Sequence, residues 1–119
     1  MWNEPGEEEL SKLPGLYATE GVSLRRKTVH THFFVAGCDW YAAEYDPAKR
    51  IFFGFAVLNN DLEHAEWGYF SLDELRSLKV GPFEVEYDLY WKPCRAEQVD
   101  KIARACGWKK DMKTTGGAG

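Results

Sequence analysis

The chain has 119 residues, 45% hydrophobic and 15% aromatic, enough apolar side chain for one packed core and too short for two ordinary domains. Its formal net charge of −4 argues against tight duplex binding, which works by neutralising phosphates with cations. No apolar run approaches the roughly 20 residues of a membrane helix, and the acidic start MWNEPGEEEL lacks the basic-then-apolar order of a secretory leader.

A cytoplasmic protein with no membrane contact is therefore expected. Cys38, Cys94 and Cys106 are odd in number and form no CxxC pair, so they are expected as reduced thiols rather than a disulfide framework or zinc site.

In chain order, Glu7 to Lys12 predicts a short helix with acidic residues in its first turn, ended by Pro14-Gly15. TVHTHFFVA, from Thr28 to Ala36, is β-branched and aromatic and predicts a strand. A second strand runs from Asp39 to Tyr45, closed by the turn Asp46-Pro47-Ala48-Lys49. Arg50 to Leu58 is apolar on both faces, the pattern of a central strand covered on both sides. After Asn59-Asn60-Asp61, a strand from about His64 to Phe70 leads into a helix. There Ser71 and Glu74 fit a capping box, Phe70 and Leu75 a hydrophobic staple, and Leu72, Leu75 and Leu78 a core stripe that Gly81-Pro82 ends.

Pro82 to Tyr90 predicts one more strand by alternation, with Phe83, Val85, Tyr87 and Leu89 on one face and Glu84, Glu86 and Asp88 on the other. Arg95 to Cys106 predicts an amphipathic helix with Val99, Ile102, Ala103 and Cys106 on its stripe and Gly107 at its C-cap. KKDMKTTGGAG, residues 109–119, predicts a flexible tail. The expected fold is a single α+β domain: a mainly antiparallel sheet of about five strands with two or three helices packed on one side.

Five stretches, LPGLYATE at 13–20, DWYAAEYD at 39–46, FFGFAV at 52–57, EWGYFSL at 66–72 and EYDLYWKP at 86–93, together resemble the bacterial family catalogued as domain of unknown function 2958 (DUF2958). The resemblance divides the chain into an N-terminal segment 1–12, a family-like domain 13–95 and a C-terminal helix and tail 96–119. It implies an accessory protein of plasmids and other mobile genetic elements, and it implies no particular reaction.

His30 and His32 at i and i+2 are expected on one strand face, where an HxH pair can hold a divalent metal if His64, Asp61 or Glu63 completes it. Glu44 and Asp46 share one face, as do Glu84, Glu86 and Asp88. If those strands are neighbours, the carboxylates converge and can serve as acid, base or cation ligands; the plainer reading is a solvated sheet face paired with nearby arginines. Trp40, Tyr41, Tyr45, Trp67, Tyr69, Tyr87, Tyr90 and Trp91 cluster in the strand region, where rings fill a core, stack bases or anchor a protein interface. No GxSxG element or phosphate-cradling loop is present.

The expected function is a non-enzymatic interaction protein that takes a protein partner and needs no cofactor. Its surface is expected at Trp40, Tyr41, Trp67, Tyr69 and Trp91, rimmed by Glu44, Glu86 and Asp88; one version inhibits a host defence or nucleic-acid-handling protein. The alternatives are a metal-assisted hydrolase or nuclease built on His30, His32 and the carboxylates, and, less favoured by charge, a single-strand nucleic-acid binder.

Overall fold

Nine strands and three short helices make up a computed structural model of the protein, which describes residues 1–108. The strands are β1 (Thr28–Val29), β2 (Thr31–Val35), β3 (Cys38–Asp46), β4 (Ile51–Val57), β5 (Glu66–Ser71), β6 (Lys79–Val80), β7 (Phe83–Glu84), β8 (Glu86–Tyr87) and β9 (Cys94–Arg95). The helices are α1 (Glu7–Leu10), α2 (Leu72–Ser77) and α3 (Asp100–Cys106), with 3-10 turns at Leu24–Arg26 and Ala96–Gln98. The main sheet has five strands in the order β5-β4-β3-β2-β8, all antiparallel. β1 with β9 and β6 with β7 form separate two-stranded ribbons. The expected α+β fold on one antiparallel sheet is what forms.

Successive strand residues point to opposite faces, and β3 carries large apolar side chains at both parities. It lies at the centre of the order and is buried along every residue but its last. RIFFGFAVL, expected as a central strand covered on both faces, lies beside it as β4, paired on both sides and sending Phe52 into one face and Phe55 and Val57 into the other, with Ile51, Phe53 and Ala56 only half-buried.

One face packs Phe33, Trp40, Tyr45 and Phe52 against Leu72 and Leu75 of α2 and Leu10 and Leu13 of the N-terminal segment. The other packs Tyr41, Phe55 and Val57 against Val99 and Ile102 of the C-terminal segment. The helices, expected on one side, thus divide between the two faces, because both faces are apolar and each needs cover. Each fully buried Phe or Ile among these contributes about 1.5–3 kcal/mol. Residues 96–106 belong to this same core.

The helix boundaries follow their local chemistry. The Ser71 hydroxyl accepts the Glu74 amide at 3.2 Å and starts α2, while Gly107, at φ 71°, ends α3 in the left-handed conformation that glycine adopts without strain. Leu78 is exposed, so the stripe of α2 is narrower than expected. The predicted 95–106 helix is shorter too: Cys94–Arg95 pairs with β1 first, and helix begins only at Asp100.

Two expected strands are interrupted. Thr28–Ala36 breaks at His30, where β1 leaves to pair with β9 and β2 pairs with β3. The alternation read over 82–90 survives only in part. Val85 is buried and Tyr87 half-buried, but Phe83 and Leu89 are exposed and only Glu86 and Tyr87 join the sheet. β2 offers β8 only Phe33 and Phe34, and the outer side of this segment is taken by Trp2, whose amide donates to the Val85 carbonyl and whose carbonyl accepts the Tyr87 amide. The expected tail at 109–119 lies outside the described residues.

Candidate functional site

β3 carries a bulge at Ala43, between the pairs Ala42–Gly54 and Glu44–Phe53. Gly54 is required there: a Cβ at this position would come within 1.9 Å of the Tyr41 carbonyl oxygen. The bulge turns Glu44 into the protein, where it is 4% exposed. Its Oε1 accepts the Tyr17 amide at 2.9 Å, and its Oε2 accepts the Thr19 amide at 3.2 Å together with the Thr19 hydroxyl. The buried Lys27 ammonium donates to the Thr19 carbonyl at 2.6 Å and hydroxyl at 2.7 Å, and stands 3.8 Å from Glu44. One carboxylate thus pins the 17–19 loop against the sheet.

That loop sets Tyr17 beside Tyr69, and the neighbouring Tyr17 phenol pushes the Tyr69 phenol up. Both rings are largely exposed, at 60% and 57%. Below them Phe53 packs against Tyr69 at 5.3 Å and Trp67 at 5.8 Å between ring centroids, and Trp67 in turn meets Phe55 edge-on. The patch ends at β5, the last strand of the sheet, and among the described residues no backbone hydrogen bond reaches β5 from its outer side.

A second cluster surrounds His32. Its Nε2 lies 2.8 Å from Asp39 Oδ1 and its Nδ1 2.9 Å from Asp88 Oδ2. Lys101 Nζ donates to Asp39 Oδ2 at 2.6 Å, and the imidazole stacks on Tyr41 with 9° between the planes. Burial alone would raise the Asp39 carboxyl; the hydrogen bonds and charges of His32 and Lys101 outweigh it and hold the group below the usual carboxylate range. Burial pushes the Tyr41 phenol well up, with Asp39 and Asp88 adding to it. Both His32 nitrogens and all four carboxylate oxygens of Asp39 and Asp88 face a partner within the protein, so the cluster ties α3 and the 88–91 turn to the sheet and leaves no ring nitrogen free to ligate a metal or take a substrate proton.

The expected HxH pair does not form a common site. The break in the strand sends His30 to a small cavity with Lys27 and Ala43, where burial lowers its pKa, while His32 is occupied as described. His64 is exposed and pairs with Asp61 at 2.8 Å; among the described residues, the only three-donor group is the exposed trio Asp61, Glu63 and His64. Nor do the carboxylates converge: Glu44 holds the 17–19 loop, Asp88 holds His32, and Glu86 borders Trp2 and Phe83. Asp46 caps its own turn through the Ala48 amide.

Of the expected aromatic surface, Trp40 and Tyr41 are core at 5% and 4% exposure, a correction that follows from their central strand. Trp91 is half-buried against the second cluster, its indole donating to the Val29 carbonyl at 3.0 Å. Trp67 is half-buried, and Tyr69 is the one member largely open. Sequence reasoning missed Tyr17 and Phe53. Tyr17 lies in no periodic element, and Phe53 was absorbed into a strand read as wholly core.

A cavity of about 620 Å³ lies between α1 and α2 on the opposite face. Its floor is Leu10, Leu13 and Leu72. Its arginines, Arg50 and Arg76, are bound to Asp73, and Arg76 also to Glu4, while the Ser11 hydroxyl on its wall donates to the Glu8 carbonyl.

A family model described as protein of unknown function (DUF2958) matches residues 25–107, most of the chain, from the 3-10 turn at Leu24–Arg26 through α3. Phe53, Trp67 and Tyr69 lie inside that match and Tyr17 just before it. No curated protein and no solved structure matches significantly.

Proposed function

The chain belongs to the DUF2958 family, and we propose that it acts by binding, taking a protein segment as an added strand along the free edge of β5, with Tyr69, Tyr17 and Trp67 as the contact surface. The observation that carries this reading is the edge itself. Natural sheets blunt their edges with charged side chains, proline, bulges or covering segments, whereas β5 is six residues, EWGYFS, unbulged, without proline and charged only at Glu66, beside two open tyrosines. An added strand gains main-chain hydrogen bonds for affinity and places alternate side chains on the rings for specificity. The opposite edge, at β8, is already occupied by Trp2.

Binding is favoured over catalysis because the groups that could move protons or hold a cation are separated or mutually saturated, as described for His30, His32, Glu44 and Asp88. The narrower reading, an inhibitor whose converging carboxylates imitate phosphates, finds no support in that dispersed arrangement. A role in a bacterial mobile element rests on the family resemblance alone, and a cytoplasmic setting is part of the same proposal; no helix among the described residues is long and apolar enough to cross a membrane.

The test places a photo-crosslinking residue at position 69, with position 8 on α1 as control, and captures partners from the native host with and without nuclease. The reading expects a nuclease-resistant protein adduct from position 69 that is absent from position 8 and lost in Tyr69→Lys, judged with the crosslinker moved to position 67. An adduct that survives Tyr69→Lys in a folded protein refutes it, and one lost on nuclease treatment points to nucleic acid instead.

A further inference from the structure

The small cavity near the aromatic face, about 160 Å³, lies between residues 14–22 and 26–30 and is lined by Thr19, Arg26, Lys27, Thr28 and His30 among others. We propose that it is a binding site for one tetrahedral oxyanion, a phosphate or sulfate group, held by the Arg26 guanidinium with donors from His30 and Thr28 and with Lys27 behind. Its volume is well above what a single water needs on the same measure, about 10–15 Å³, so a tetrahedral ion has room.

Charge makes the case. Arg25, Arg50, Arg76, Arg95 and Arg104 each pair with a carboxylate. Arg26 alone has no ion pair or hydrogen bond from its side chain among the described residues. A guanidinium presents two parallel donors that match an oxyanion bidentately. Lys27 stands at the cavity wall with its ammonium donating to Thr19 and its charge offset by Glu44 at 3.8 Å, so the net positive charge offered to an anion is that of Arg26. Among the residues that line the cavity there is no carboxylate, and the buried Glu44 nearby has both oxygens occupied by Tyr17 and Thr19. His30, which burial keeps uncharged at neutral pH, contributes a donor that carries no desolvated charge. The site is independent of the β5 edge: an oxyanion bound here leaves that edge open, and the failure of either proposal leaves the other standing.

The test is an amide-resolved NMR titration of the full chain with inorganic phosphate, with sulfate, and with phenyl phosphate as a phosphomonoester, against chloride at matched ionic strength. Saturable shifts centred on residues 19–30 are expected from the oxyanions and not from chloride. Arg26→Ala should bind about tenfold more weakly, the loss of one charge-assisted contact. It should keep the wild-type melting temperature in phosphate-free buffer, since Arg26 has no partner to lose, and Arg26→Lys should recover part of the affinity. Tighter phenyl phosphate assigns the site to a phosphate carried on a larger ligand; inorganic phosphate equal or tighter assigns it to the free ion. Absence of saturation, an equal response to chloride, or unchanged affinity in Arg26→Ala overturns the proposal.

Discussion

Replacing Tyr69 by alanine separates fold from function, because the same substitution at Trp40 gives the opposite result. A buried tyrosine covers about 150–250 Å². Tyr69 is 57% exposed, so it shields about two-fifths of that, about 85 Å². At about 25 cal/mol per Å² this is about 2 kcal/mol, an upper bound because the unfolded chain already hides part of the ring. Trp40, 5% exposed between Phe33 and α2, loses about 3–5 kcal/mol on truncation, transfer and cavity together. In binding the ranking reverses: an aromatic anchor at the centre of an interface carries about 2 kcal/mol or more, about a 30-fold loss of affinity. Urea unfolding followed by tryptophan fluorescence measures the first pair of numbers, and crosslinking yield at position 67 with the captured partner measures the second. Tyr69→Ala as destabilising as Trp40→Ala would show that the ring is core. Tyr69→Ala at full stability with undiminished partner yield would remove the edge from the binding account.

Two further outcomes follow from the same geometry. Gly54→Ala is expected to cost about 3 kcal/mol or more, at the upper end of overpacking, because the clash is with the Tyr41 backbone and no side-chain rotation relieves it; a melting temperature within a degree or two of wild type would show that the bulge relaxes. Asp39→Asn is expected to cost about 2–3 kcal/mol at pH 7, below the full price of breaking a buried pair because Lys101 is about one-third exposed and screened. The sign with pH follows from the direction of the shift. Asp39 is more acidic folded than unfolded, so its contribution is complete above an unfolded pKa of about 3.9 and disappears as pH falls through the folded value. The gap between wild type and variant, read from urea midpoints, should therefore hold from pH 7 to pH 5 and narrow towards pH 2; a gap that widens with acid contradicts the assignment.

Local chemistry was legible wherever a few neighbouring residues decide it. The Ser71 cap, the left-handed Gly107 and the alternating faces of β3 and β4 follow from hydrogen-bond geometry and pleat, which need no distant partner. The helix-and-strand order was readable for the same reason. Misreadings occurred where pairing is long-range. TVHTHFFVA reads as one strand, yet Cys94–Arg95 draws Thr28–Val29 away and separates His30 from His32, so the metal pair visible at i and i+2 does not form. In FEVEYDLY the alternation is regular, but only the two residues opposite Phe33 and Phe34 join the main sheet, Phe83 and Glu84 pair with β6 instead, and Phe83 and Leu89 are left in water.

The site shows the same division more sharply. That aromatic residues would dominate this protein was settled by its composition alone, since a short chain with so many rings must bury most of them. Which rings stay outside was settled only by the fold. A bulge at Ala43 turns Glu44 inward, Glu44 draws in the 17–19 loop, and that loop brings Tyr17 to Tyr69, fifty-two positions away. Strand order then leaves β5 at the edge and Trp40 at the centre. Burial is a property of neighbours in space, and a chain specifies those neighbours only once the whole sheet has closed.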